Sequence, residues 1–62
     1  MTGLEVLIGQ LDDKIAQLKE ATVNGNIEKF EEYKRMCGEI RGLLIARGYA
    51  LDLKERMEKT DD

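Results

Sequence analysis

Tyr33–Leu51, YKRMCGEIRGLLIARGYAL, is the stretch on which the reading of this chain turns. Met36, Ile40, Leu43 and Ala50 fall on one face at helical spacing. Cys37, Leu44 and Leu51 fall on the adjoining face, and Ile45 and Tyr49, with Gly38 and Gly42, lie on the next. A surface helix normally carries one apolar stripe, whereas a helix apolar over most of its circumference is enclosed by several neighbours. A chain of 62 residues has few neighbours to offer. The expectation is that other copies of the chain, or another protein, supply them.

Working outward, the length allows one domain, residues 1–62. Chains of this size bury only about 60% of the surface that the unfolded chain exposes, so a lone core is marginal. Small folds make up the difference with disulfides, a metal or oligomerisation. Cys37 is the only cysteine, which excludes an internal disulfide. With no histidine in the chain, one thiol is a poor zinc site. Oligomerisation, or docking on a larger partner, is what remains.

Before the organising stretch, Thr2-Gly3-Leu4-Glu5 reads as a capping box, with Thr2 as N-cap. The first helix is expected from Gly3 to about Thr22. Leu4, Ile8, Leu11, Ile15 and Leu18 form a strict heptad seam along it, and Asp12, Asp13, Lys14, Gln17, Lys19 and Glu20 cover its outer side. Asn24-Gly25-Asn26 breaks the pattern. Gly25 is expected in the left-handed conformation that ends a helix, and Asn26 as the N-cap of the next. Glu28, Glu31 and Glu32 suit that new N-terminus, where the helix dipole favours negative charge.

The prediction is an all-α, antiparallel helical hairpin: a helix over about 3–22, a turn at 23–26, a longer helix over about 27–59 and a frayed acidic end at 60–62. In a tight hairpin, residues whose numbers sum to about 50 lie level with each other. The first helix would then run out at about Gly48, leaving Ala50, Leu53 and Met57 with nothing in the same chain to cover them. Gly48 either bends the helix there or leaves a straight tail that docks elsewhere.

The chemistry-bearing candidates are few. Gly38-Glu39-Ile40-Arg41-Gly42 is a small-xxx-small pattern, read as close helix approach at a subunit contact. Each glycine costs about 1 kcal/mol against alanine in a helix, which argues for a reason beyond chance. Cys37, with no histidine to act as base, reads as a small hydrophobe of the apolar face. Asp12-Asp13 and Asp61-Asp62 lack the spacing of a cation loop.

Lys34, Arg35, Arg41 and Arg47 make the middle of the second helix basic, with only Glu39 opposing. They could track a nucleic-acid backbone. Yet the chain is acidic overall, at a net charge of -3, and lacks aromatic interleaving. A solvated rim, paired with Asp12, Asp13 or Glu5 of the first helix, is the better account. With no serine, no histidine and no Gly-rich phosphate loop, an enzyme is not expected, nor is a cofactor or metal. No apolar run approaches the roughly 18 residues of a membrane span, and the opening MTGLEVLIGQLDD lacks the basic n-region of a signal peptide.

The segment Glu32-Tyr33-Lys34, followed by Cys37-Gly38 and Ile40-Arg41-Gly42-Leu43, resembles short helical proteins of tailed bacteriophages, most of them uncharacterised. An opening like Leu4-Glu5 and an acidic close like Asp61-Asp62 extend the likeness over most of the chain. It implies a viral origin, a setting among capsid and head-tail genes, and no catalytic residues. The expected function is a non-enzymatic interaction module, a small phage structural or virion-assembly accessory. It would act in the host cell cytoplasm or in the virion, with itself or a larger phage assembly as partner. Its expected interface is Met36, Gly38, Ile40, Gly42, Leu44, Ile45, Tyr49, Leu51, Leu53 and Met57. The alternative is a phage-encoded regulator that inserts Leu51, Leu53 and Met57 into a groove of a host protein.

Overall fold

The computed structural model describes residues 2–25 and 28–59. It is all-helical among those residues: α1 spans Gly3–Asn24 and α2 spans Phe30–Lys59, and the two pack against each other. At 1.5 Å per residue they are about 33 and about 45 Å long, within a molecule of 53 × 18 × 13 Å.

Thr2 starts α1 as expected. Its backbone is extended, and its Oγ1 accepts from the Glu5 N–H at 3.1 Å, satisfying one of the first-turn donors that lack a helical partner. At the other end, the Thr22 hydroxyl donates back to the Leu18 carbonyl at 2.8 Å, and the Gly25 N–H closes on the Ala21 carbonyl at 2.8 Å. Gly25 is not left-handed, contrary to expectation; its φ of -81° and ψ of 163° are extended. A glycine is nevertheless needed there, because a Cβ would overlap the Ala21 carbonyl oxygen. The requirement comes from close approach to the helix end, not from a positive φ.

The second helix begins three residues later than the sequence pattern places it. Glu28 and Lys29 lie outside it, the Lys29 carbonyl accepts the Tyr33 N–H at 3.1 Å, and Glu31 and Glu32 occupy the first turn. The proposed cap at Asn26, and the acidic end at 60–62, lie outside the described residues. From Phe30 onward α2 passes through Gly48 as one helix.

The longer connection changes the register. Asp12 pairs with Arg47, and Thr2, Leu4 and Glu5 share a hollow with Lys54, Met57 and Glu58. A tight hairpin would have put Leu4 against Leu44–Arg47 instead. The expectation that α1 runs out near Gly48 is therefore overturned: α1 covers α2 almost to its C-terminal end, and Ala50 is buried. The overhang is at the other end. Phe30 lies five residues farther from Arg47 than Asn24 does from Asp12, which projects the start of α2 about 7 Å past α1.

The predicted seam of α1 faces α2. Ile15 is buried, and Leu4, Ile8, Leu11 and Leu18 are half-buried around it. Across from them, α2 presents Met36, Ile40, Leu43, Arg47, Ala50 and Lys54, spaced alternately by four and three. Among the described residues only Ile15, at 5% exposed, and Ala50, at 8%, are buried, and no large side chain is fully enclosed.

Candidate protein-interaction surface

The sides of α2 that α1 does not cover carry the candidate surface. Each residue advances a helix by about 100°, so residues seven apart lie nearly in line. Phe30, Cys37, Leu44 and Leu51 therefore form a stripe along one edge, next to the seam with α1. All four are exposed, Phe30 the most at 71%. Where the stripe meets α1, Leu44 shares a hollow with Asp12, Ile15, Ala16 and Lys19. Gly38, Ile45, Gly42 and Tyr49 lie on the side facing away from α1, where Tyr49 is 73% exposed. Leu53 and Met57 sit on the remaining edge, also exposed.

The ten residues read from the sequence thus divide. Met36 and Ile40 are half-buried in the seam with α1 and are not free for a partner. Leu44, Ile45, Tyr49, Leu51 and Leu53 are outward-facing, and Met57 lies beside Leu4 with about half its surface exposed. Gly38 and Gly42 do not bring α1 and α2 together: a Cβ at either would meet nothing within 4 Å, and the same holds for Gly48. Phe30 was missed, because the assumed tight turn placed it under Leu18. Its signal was available in the seven-residue spacing to Cys37, Leu44 and Leu51.

Cys37 corrects another expectation. It is exposed, not part of a core. Hydrogen bonding toward Cys37 and the charge of its thiolate push the phenol of Tyr33, one turn earlier, up from its ordinary value.

The basic middle of α2 is largely engaged within the chain. Arg47 pairs with Asp12 across the hairpin, Arg35 lies 3.9 Å from Glu39, and Lys34 sits over the Phe30 ring at 5.6 Å. Arg41 makes no ion pair among the described residues. Toward the C-terminus, Asp52–Arg56, Lys54–Glu58 and Glu55–Lys59 pair one turn apart at 3.1–3.5 Å. All are solvent-exposed pairs of the kind worth a few tenths of a kcal/mol, roughly. Among the described residues no cluster of three His, Cys, Asp or Glu could hold a metal ion. No described helix is long and apolar enough to cross a membrane. Compared with models of protein families, with curated proteins and with solved structures, the chain matches none.

Proposed function

We propose that the protein is a non-enzymatic interaction module, a small phage structural or virion-assembly accessory. It works by covering the outer surface of α2 with further copies of itself or with a larger capsid or head-tail assembly. The observation that carries this reading is the disparity between core and surface. Among the described residues two apolar side chains are buried, while Leu44, Ile45, Tyr49, Leu51 and Leu53 are exposed on one helix. A contiguous exposed apolar surface on a small domain marks an interaction site. The phage setting rests on the resemblance of Glu32–Leu43, and with it the place of action, the host cytoplasm or the particle.

Leu44→Lys and Tyr49→Lys test it, since both side chains are exposed, Leu44 at the margin of the seam with α1 and Tyr49 away from it. Helicity is expected to hold while the native mass falls and particle yield drops. Unchanged assembly and unchanged yield would sink the reading. A second reading, a regulator of a host protein, draws on Met57, which borders the hollow at the start of α1, and on Leu53, both exposed on an edge that the stripe leaves free. Recovery of the protein from purified particles favours the accessory. A stoichiometric host protein that is lost with Leu53→Glu favours the regulator.

A further inference from the structure

The reading of α2 as an interaction surface leaves open what covers it and in which direction. Resting on that reading, we infer that a second copy of the chain packs antiparallel along the Phe30–Cys37–Leu44–Leu51 stripe, with the two-fold axis passing at Leu44. Three observations select this arrangement. First, the stripe is the exposed apolar line that adjoins the α1–α2 seam, so a second α2 laid there extends the existing core. Small Ala16 on α1 leaves room beside Leu44.

Second, charge fixes the direction. Positions 34, 41, 48 and 55 flank the stripe on its outer side at the same seven-residue spacing and carry Lys, Arg, Gly and Glu. When Leu44 meets Leu44, Cys37 lies against Leu51 of the second copy. Lys34 then lies opposite the second copy's Glu55, and symmetry makes that pair twice. Arg41 faces Gly48, where no side chain obstructs it and an added Cβ would meet open space. A parallel pair in the same stripe would instead set this flank against the opposite flank of the second copy, where Tyr33, Ile40 and Arg47 give Lys34 and Arg41 no acid to pair with. The partners that Lys34 and Glu55 would exchange are weak exposed ones: the Phe30 ring for Lys34, and Lys59 for Glu55.

Third, the alternative face is less suited. An antiparallel pair through Gly38, Ile45 and Tyr49 would bring Arg35 against Arg56 of the second copy, with Lys34 close by. Glu39 and Asp52 offset part of that repulsion, and the open glycines add no attraction of their own.

Covalent trapping tests both the occupant and its direction. The antiparallel arrangement holds the two Cys37 thiols about 21 Å apart along the axis, far beyond disulfide reach. It holds Cys37 against position 51 of the second copy. With copper(II)-phenanthroline as the oxidant that takes two electrons and two protons from each thiol pair, the native chain is expected to stay uncrosslinked. The Leu51→Cys variant is expected to form a doubly bridged dimer. Lys34→Glu and Glu55→Lys are each expected to weaken the dimer about fivefold, and combining them to restore it, as read by sedimentation. Rapid crosslinking of the native chain would mean a parallel pair and overturn the inference. A dimer that Leu51→Cys does not trap would overturn this geometry while leaving self-association standing. A monomer at every concentration would remove the second copy altogether. Particle yield of Leu44→Lys would then decide separately whether the surface serves a different protein.

Discussion

α1 and α2 carry the same kind of heptad seam, yet only α1 is completed by having one neighbour. Away from its seam α1 presents Asp12, Asp13, Lys14, Gln17, Lys19 and Glu20 to solvent, with Val6, Leu7 and Val23 as scattered exceptions. Away from its own seam α2 presents Leu44, Leu51, Ile45, Tyr49 and Leu53 on every remaining side. One contact therefore covers the apolar seam of the first helix and leaves the second with exposed apolar side chains on its other sides. The difference separates two jobs that one amphipathic pattern would merge: α1 holds α2 in the hairpin, and α2 carries the surface proposed here for binding.

The comparison breaks most severely at Ile15, the most buried residue of α1's seam. Ile15→Ala removes three carbons from the middle of the packing and is expected to cost about 2–5 kcal/mol. A hairpin of this size holds only roughly 3–5 kcal/mol in total. The variant should therefore lose most of its helicity at micromolar concentration, by circular dichroism. Association through α2 should return part of it as concentration rises, since binding the folded state stabilises it by mass action. Helicity that stays low and flat with concentration would show that α2 has no surface to offer without α1.

Smaller in size and opposite in sign is the effect expected at Gly42. A Cβ there meets open space, so Gly42→Ala should raise helix stability by about 1 kcal/mol in the hairpin itself. Gly38→Ala should do the same. Thermal melts at low concentration measure this term alone. If dimer affinity is also unchanged, the glycine side of α2 stays outside the interface, as the Leu44-centred pair requires. A gain in monomer stability coupled to a loss of association would move the interface to the Gly38–Tyr49 side.

Much of the hairpin could be read from residue spacing, and its register could not. The seam of α1 was legible in full, because five apolar residues at spacings of four and three admit one helical face. The cap at Thr2 was legible because its hydroxyl needs only the next turn's N–H. The end of α1 was misread at Gly25, where the glycine serves close approach to the Ala21 carbonyl and its φ stays negative. Composition cannot separate those two uses of glycine. The register depends on the length of the link, and Glu28 and Lys29 look as helix-compatible as the acids that follow them. Placing them outside α2 slides the whole helix, which covers Ala50, exposes Phe30 and sends Met36 and Ile40 into the seam. The surface was thus legible as an excess of apolar sides on α2, while its edges required the packed structure.

The finest test addresses that register through the pair that marks it. Asp12 and Arg47 meet across the hairpin with 47% and 36% of their side chains exposed, so the pair is well hydrated. Exposed pairs of this kind contribute about 0.2–1 kcal/mol. A double-mutant cycle of Asp12→Ala and Arg47→Ala should give a coupling energy in that range, shrinking as salt rises toward 1 M, where screening acts over about 3 Å. Arg47 fills a seam position between Ile40 and Lys54 with its aliphatic stem against α1, so Arg47→Ala alone should cost more than Asp12→Ala alone. The asymmetry is the informative part. In a tighter hairpin Arg47 would face Leu4, Asp12 would have no basic partner in this position, and the cycle would close with no coupling. A measurable coupling therefore fixes α1 along the C-terminal part of α2 and leaves Phe30 beyond its reach, at the open end of the stripe.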